Sequence, residues 1–180
     1  MDGPMAKEGL GLVHVYTGDG KGKTTAALGL AMRASGNGLK VLMIQFMKTP
    51  DAYAEQWAHK SLPGLEIRPM GLDCLIDKEE PRPEDIEKAQ EGLRQAMEAM
   101  ASGEWDMVIL DEVNVAVRWG LVKEGQVLDA VRGRAKGVEV VLTGRYAPAA
   151  FIEEADLVTE MRNLKHYYDR GVLARDGIER

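Results

Sequence analysis

Leu10-Gly11-Leu12-Val13-His14-Val15-Tyr16-Thr17-Gly18-Asp19-Gly20-Lys21-Gly22-Lys23-Thr24-Thr25-Ala26-Ala27-Leu28-Gly29-Leu30-Ala31-Met32-Arg33 is the stretch that decides the fold. Its apolar start, Leu10 to Tyr16, has the length of a buried strand and breaks into a glycine-rich turn. Beyond the turn, Ala26, Ala27, Leu28, Leu30, Ala31 and Met32 favour helix. Strand, glycine loop and helix in this order make a phosphate site. Glycines let backbone N–H groups turn toward an anion, and the helix start adds unpaired donors and the positive end of its dipole. Lys23 is placed to reach terminal phosphates, and Thr24 to offer its hydroxyl to Mg²⁺. The common pattern is Gly, four residues, Gly-Lys-Ser/Thr. Thr17 stands where that pattern has its first glycine, so the loop is a variant one, with Gly18 and Gly20 keeping it flexible. Thr17, Gly18, Asp19, Gly20, Lys21, Gly22, Lys23, Thr24 and Thr25 are the candidate phosphate contacts.

Working outward, Gly36-Asn37-Gly38 stops the helix, and Lys40 to Phe46 reads as a second strand. The unbroken apolar run Val41-Leu42-Met43-Ile44 fits a parallel strand covered on both faces. Its tail, Gln45-Phe46-Met47-Lys48, points to the sheet edge where ligands of open α/β sheets bind. A short helix over 51–60 and a strand over Leu65 to Arg68, ending at Pro69, follow. Pro81 and Pro83 lead into a helix over 84–101 whose Ile86, Ala89, Leu93, Met97 and Met100 form one buried stripe. The strand Met107 to Leu110 delivers Asp111-Glu112 at its end, where an acid of a phosphate-loop protein holds Mg²⁺ directly or through water. A helix over 124–136 and a strand over 138–142 bring Arg145 to the same edge. A short helix over 148–154, a last strand over 157–161 and a polar tail from Arg162 close the chain. The alternation predicts a single three-layer α/β domain over 1–180 with a mainly parallel sheet, a loose lead-in over 1–9 and a tail over 162–180.

Composition narrows the class. The 180 residues are 45% hydrophobic, enough for a sizeable core. A net charge of -6 argues against an electrostatic hold on nucleic acid or anionic membrane. No run is apolar enough to span a bilayer, and one cysteine, Cys74, fits a reducing compartment, so the expected location is cytoplasmic. The three histidines have no ligand spacing. A Mg²⁺-nucleotide site does not by itself say which bond breaks: a kinase, an ATPase or a non-catalytic nucleotide-gated module shares this edge.

The segments Val15 to Ala27, Gln45 to Lys48, Val108 to Glu112, Leu142 to Arg145 and Lys165-His166 through Asp169-Arg170-Gly171-Val172 together resemble one family, the P-loop ATP:cob(I)alamin (corrinoid) adenosyltransferases. The resemblance runs in matching order from about Gly9 to Ile178, and Thr17 in place of glycine is the family's form. It implies a P-loop NTPase-like (RecA-like) domain that transfers the 5′-deoxyadenosyl group of ATP to a reduced Co(I) corrinoid and releases triphosphate whole. It further implies that Lys23 and the loop hold phosphates, that Thr24 and Glu112 ligate Mg²⁺, and that Lys23, Thr24 and Glu112 carry catalysis. Asp19, Arg33 and Arg145 are implied nucleotide contacts. A reduced flavoprotein as electron donor and a homodimer are implied partners. Members of the family carry an aromatic pair after the third strand, where this chain has Leu72 and Cys74. A nucleotide-gated corrinoid carrier is the reading that this difference keeps open.

Overall fold

Strands whose side chains are apolar on both faces must be covered on both faces, and the architecture follows from that need. The computed structural model describes residues 9–73 and 76–179. In chain order the elements are β1 Val13–Thr17, α1 Lys23–Gly36, β2 Val41–Phe46, α2 Glu55–Ala58, β3 Leu65–Met70, α3 Pro83–Ser102, β4 Met107–Asp111, α4 Val113–Arg118, α5 Glu124–Arg132, β5 Glu139–Thr143, α6 Ala149–Glu154 and β6 Leu157–Glu160. The strands form one parallel sheet in the order β3-β2-β4-β5-β1-β6. Every residue of β2, β4 and β5 is buried.

Alternate strand residues serve opposite faces. Leu42, Ile44, Val108, Leu110, Val140 and Leu142 pack under α3 and α5 through Ala89, Leu93, Ala96, Met100, Val127 and Val131. Val41, Met43, Met107, Ile109 and Val141 meet Ala27, Ala31 and Ala34 of α1 on the other side. Alanines on the buried stripe let α1 lie close to the sheet, which brings its first turn over the strand ends. Three layers result, as the alternation predicts.

Several boundaries differ from the sequence reading, each for a physical reason. β1 begins at Val13, because the N–H groups of Gly11 and Leu12 are taken by the Glu139 carboxylate at 2.7 and 2.8 Å. β3 continues through Pro69 to Met70; it is an edge strand, where a missing N–H is tolerated. The helix expected over 51–60 shrinks to α2 and a 3₁₀ turn, His59–Ser61. α5 stops at Arg132, after which Ala135 donates to the Met100 carbonyl at 2.9 Å. On α3 the buried stripe is centred on Ala89, Leu93, Ala96 and Met100, while Ile86 and Met97 lie on its flanks at 36% and 41% exposure. Assigning those two to the core is therefore corrected. The lead-in over 1–8 and Cys74 lie outside the described residues. Among the described residues no helix is long and apolar enough to cross a membrane.

Candidate functional site

All six strands point their carboxyl ends to one edge, and the register sets polar residues near those ends side by side. Gln45 of β2 lies opposite Asp111 of β4, and Tyr16 of β1 opposite Thr143 of β5. The loop between β1 and α1 wraps over this edge. Its glycines answer to packing more than to flexibility: a Cβ on Gly18 or Gly20 would sit 2.4 or 2.7 Å from the Met161 carbonyl oxygen. Gly20 N–H donates to that same oxygen at 2.7 Å, so the chain leaving β6 braces the loop. Gly22, at φ 125, turns the chain into α1.

Gly20→Ala is the mildest change that tests this bracing. The methyl group meets backbone and not a movable side chain, so we expect a loss of about 1–3 kcal/mol in stability. Weakened ATP binding should accompany it, read by thermal melting with and without Mg²⁺-ATP.

Lys23 opens α1 and is only 7% exposed. Its ammonium donates to the Gly18 and Gly20 carbonyls, both at 2.7 Å, and so spans the mouth of the loop. Burial holds its pKa below the ordinary lysine value. Thr24 donates its hydroxyl to Asp111 Oδ1 at 2.8 Å, and Thr143 donates to the same oxygen at 2.7 Å. Thr143 in turn accepts from the Glu112 N–H at 2.9 Å. Asp111 is wholly buried, and its other oxygen lies 3.0 Å from the Lys48 ammonium.

Glu112 is different. It adopts the left-handed conformation at φ 63, a strained choice for a residue with a side chain. Its carboxyl lines the cleft, and burial, then the neighbouring Asp111 charge, raises its pKa above the ordinary glutamate value. Two adjacent acids thus take separate places: Asp111 is locked into the strand-end hydrogen bonds, and Glu112 faces the opening. Asn114 donates to the Gly144 carbonyl at 2.9 Å, which pins the turn that presents Arg145.

These groups border one cleft of about 750 Å³. Asp19, Gly20, Lys21, Gly22, Lys23, Thr24, Thr25, Glu112 and Arg145 all line it. Gly18 contributes a carbonyl to Lys23 without lining it, and Thr17 ends β1 with its hydroxyl accepting from the Ala147 N–H at 3.3 Å. Arg33 is not brought here. It is exposed in the last turn of α1, ten residues beyond Lys23 and so about 15 Å along the helix. Met47, Ile76, Val115 and Trp119 give the same cleft an apolar wall. The tail folds back over the loop: Lys21 donates to the Ile178 carbonyl at 3.1 Å, and His166, Gly177, Ile178 and Glu179 join the lining.

Sequence reasoning missed Thr143 and left Lys48 without a role, and it gave Thr24 no carboxylate partner. Lys48 was signalled by its place at the strand tail, but the positive φ of Met47 that turns it inward has no sequence signature. His14 is tied to Glu139 at 2.6 Å in the sheet, away from the cleft. Among the described residues no group of three or more His, Cys, Asp or Glu side chains is arranged to hold a metal by itself. Beside the phosphate loop the cleft offers the Thr24 hydroxyl and the Glu112 carboxylate. That donor set suits a Mg²⁺ that keeps waters and shares phosphate oxygens.

In three-dimensional shape the chain is similar to the flagellar accessory protein FlaH from Methanocaldococcus jannaschii. The TM-score is 0.57 at 16% identity, covering 84% of this chain and 71% of that one. It is equally similar to a KaiC-like protein from Pyrococcus horikoshii, with TM-score 0.57, 13% identity, and coverage of 87% and 74%. Both likenesses speak to a P-loop NTPase-like fold. In sequence it is 34% identical over 176 residues to a corrinoid adenosyltransferase of Pseudomonas aeruginosa, covering 97% of this chain and 86% of that one. It is 36% identical over 175 residues to a corrinoid adenosyltransferase of Escherichia coli K12, covering 97% and 88%. The family described as ATP:corrinoid adenosyltransferase BtuR/CobO/CobP matches residues 9–180, and with relatives this similar over nearly their whole length the chain belongs to that family.

Proposed function

We propose that this chain transfers the 5′-deoxyadenosyl group of ATP to the cobalt of a reduced corrinoid. The observation that carries the reading is that a phosphate loop and an apolar wall share one cleft. A triphosphate and the apolar macrocycle face of a large acceptor would thereby be held within reach of each other. The reaction balances without a side-chain nucleophile: the Co(I) electron pair forms the cobalt–carbon bond, the C5′–O5′ bond breaks, and triphosphate leaves with O5′ and the electron pair of that broken bond. Cobalt ends formally as Co(III).

The protein's task is orientation and charge. Lys23 leaves the Gly18 and Gly20 carbonyls for phosphate oxygens, and the loop with Arg145 balances the charge that gathers on the leaving triphosphate. Asp111 fixes the Thr24 hydroxyl as a donor, which leaves that oxygen's lone pairs free for a cation. Thr24 and Glu112 would hold Mg²⁺, whose contribution when bound is to neutralise the same leaving group. Asp19 lines the nucleotide side, whereas Arg33, in the last turn of α1, does not line this cleft. The same reading has a reduced flavoprotein supply the electron, two copies associate, and the reaction run in the cytoplasm, in line with a single cysteine in the sequence.

A hydrolytic reading draws on the same Glu112, an open carboxyl of raised pKa able to take a proton from water. Anaerobic turnover with Mg²⁺-ATP and chemically reduced cobalamin separates the two. Adenosylcobalamin with intact triphosphate is expected. ADP beside unchanged corrinoid would replace the proposal by an ATPase or kinase, and tight corrinoid binding without turnover by a carrier.

A further inference from the structure

We infer that Lys48 is a positioning residue: its ammonium holds Asp111 in the orientation that receives Thr24, and so sets the phosphate loop for ATP. Lys48 has a side chain only 12% exposed and lies 3.0 Å from Asp111 Oδ2 and 3.0 Å from Glu55 Oε1. The Tyr53 ring covers it, 4.7 Å from ammonium to centroid. Its charge is thus spent on two carboxylates, which outweigh the cost of burial and keep it ionised.

The hydrogen bonds continue on both sides. Toward the loop, Asp111 Oδ1 accepts from Thr24 and Thr143. Away from it, Gln45 donates to Glu55 at 3.0 Å, and the buried Gln56 donates to Gln45 at 3.1 Å. Asp111 has no solvent exposure of its own, and Glu112 and Glu55 add like charge nearby. Without the ammonium, a buried carboxylate among acids has reason to turn away from its place, and Thr24 loses its fixed acceptor.

The backbone is shaped to deliver this side chain. Met47 takes φ 62, and Gly71 lies against the peptide that follows: a Cβ there would be 2.4 Å from Met47 C and 2.7 Å from Lys48 C. Thr49 donates to the Leu72 carbonyl at 2.9 Å and ties the two turns together. Gly71 does not need positive φ, so its want of a side chain serves the seating of Lys48.

The inference rests on ATP binding at the loop, and not on the corrinoid, so it is tested without corrinoid. The dissociation constant for Mg²⁺-ATP is measured by calorimetry for wild type, Lys48→Met, Lys48→Arg, Asp111→Asn and the Lys48→Met/Asp111→Asn double variant. Lys48→Met should bind about tenfold or more weakly. Lys48→Arg should recover most of that loss, and the double variant should bind no more weakly than Asp111→Asn alone, because Lys48 acts through Asp111. Gly71→Ala, which keeps the ammonium but displaces its peptide, should weaken binding in the same direction and serves if Lys48→Met does not fold. Unchanged affinity in Lys48→Met, or in Gly71→Ala where that variant stands in, overturns the inference. Losses that add in the double variant overturn it too, since Lys48 would then touch the nucleotide itself. A failure of adenosyl transfer with these ATP results intact would sink the proposed reaction and leave this assignment standing.

Discussion

Lys23→Ala should lower adenosyl transfer by about 10²–10³-fold while leaving the fold unchanged, the scale seen when one preorganised donor is removed from a reacting charge. The ammonium meets two backbone carbonyls at 2.7 Å each, and both belong to the loop. Such carbonyls can take water in its place, so stability should stay within about 1 kcal/mol of the wild type. What cannot be replaced is a cation at the centre of the loop when charge moves onto triphosphate. Rates under saturating ATP, with melting curves on the same preparation, check both halves. Near-normal turnover would remove Lys23 from the mechanism.

Glu112→Gln should separate activity from stability in opposite directions. Burial and the Asp111 charge raise the native pKa of Glu112 above its unfolded value. Its carboxyl therefore favours the native state below the unfolded pKa, and that advantage is lost as pH rises through the raised native one. At neutral pH the charged form is a burden on the empty site. Glutamine removes the burden, so the variant should be more stable than wild type by about 0.5–2 kcal/mol at pH 7 or above. The difference should shrink as the pH is lowered through the native pKa. Transfer should fall by about 10²-fold, because a carboxylate facing the cleft is lost. Urea melts across pH, paired with turnover assays, decide it. A variant less stable than wild type at neutral pH would contradict the buried, charged state assigned to the Glu112 carboxyl.

How far the sequence reaches is plain from these residues. Gly18 to Thr25 could be recognised because its chemistry is local: glycines, lysine, threonine and the helix start are neighbours along the chain. The sheet was legible for a related reason, since Val41 to Ile44 and Val108 to Leu110 are apolar without interruption. The function rested on the resemblance, because no spacing of residues tells a leaving triphosphate from a transferred phosphate. Thr143 was hidden because its meeting with Asp111 is made by β5 lying beside β4, a matter of strand order. The division between Asp111 and Glu112 was hidden because it turns on one backbone angle. On α3, Ile86 and Met97 fit the helical period yet sit at the margins of the buried stripe, where period alone cannot set the centre. Arg33 is not brought to the cleft for a geometric reason: α1 starts at Lys23, and its last turn lies away from the phosphate loop.

The most direct test of the account follows the bridging oxygen of ATP. ATP carrying heavy oxygen at the 5′ bridge is turned over anaerobically with chemically reduced cobalamin, and the label is traced by mass spectrometry. Attack of cobalt on C5′ predicts all of the label in triphosphate and none in a nucleoside product. Label retained between C5′ and the α-phosphorus of ADP, with the corrinoid unchanged, would mean that the loop serves phosphoryl chemistry, and would contradict the account at its centre.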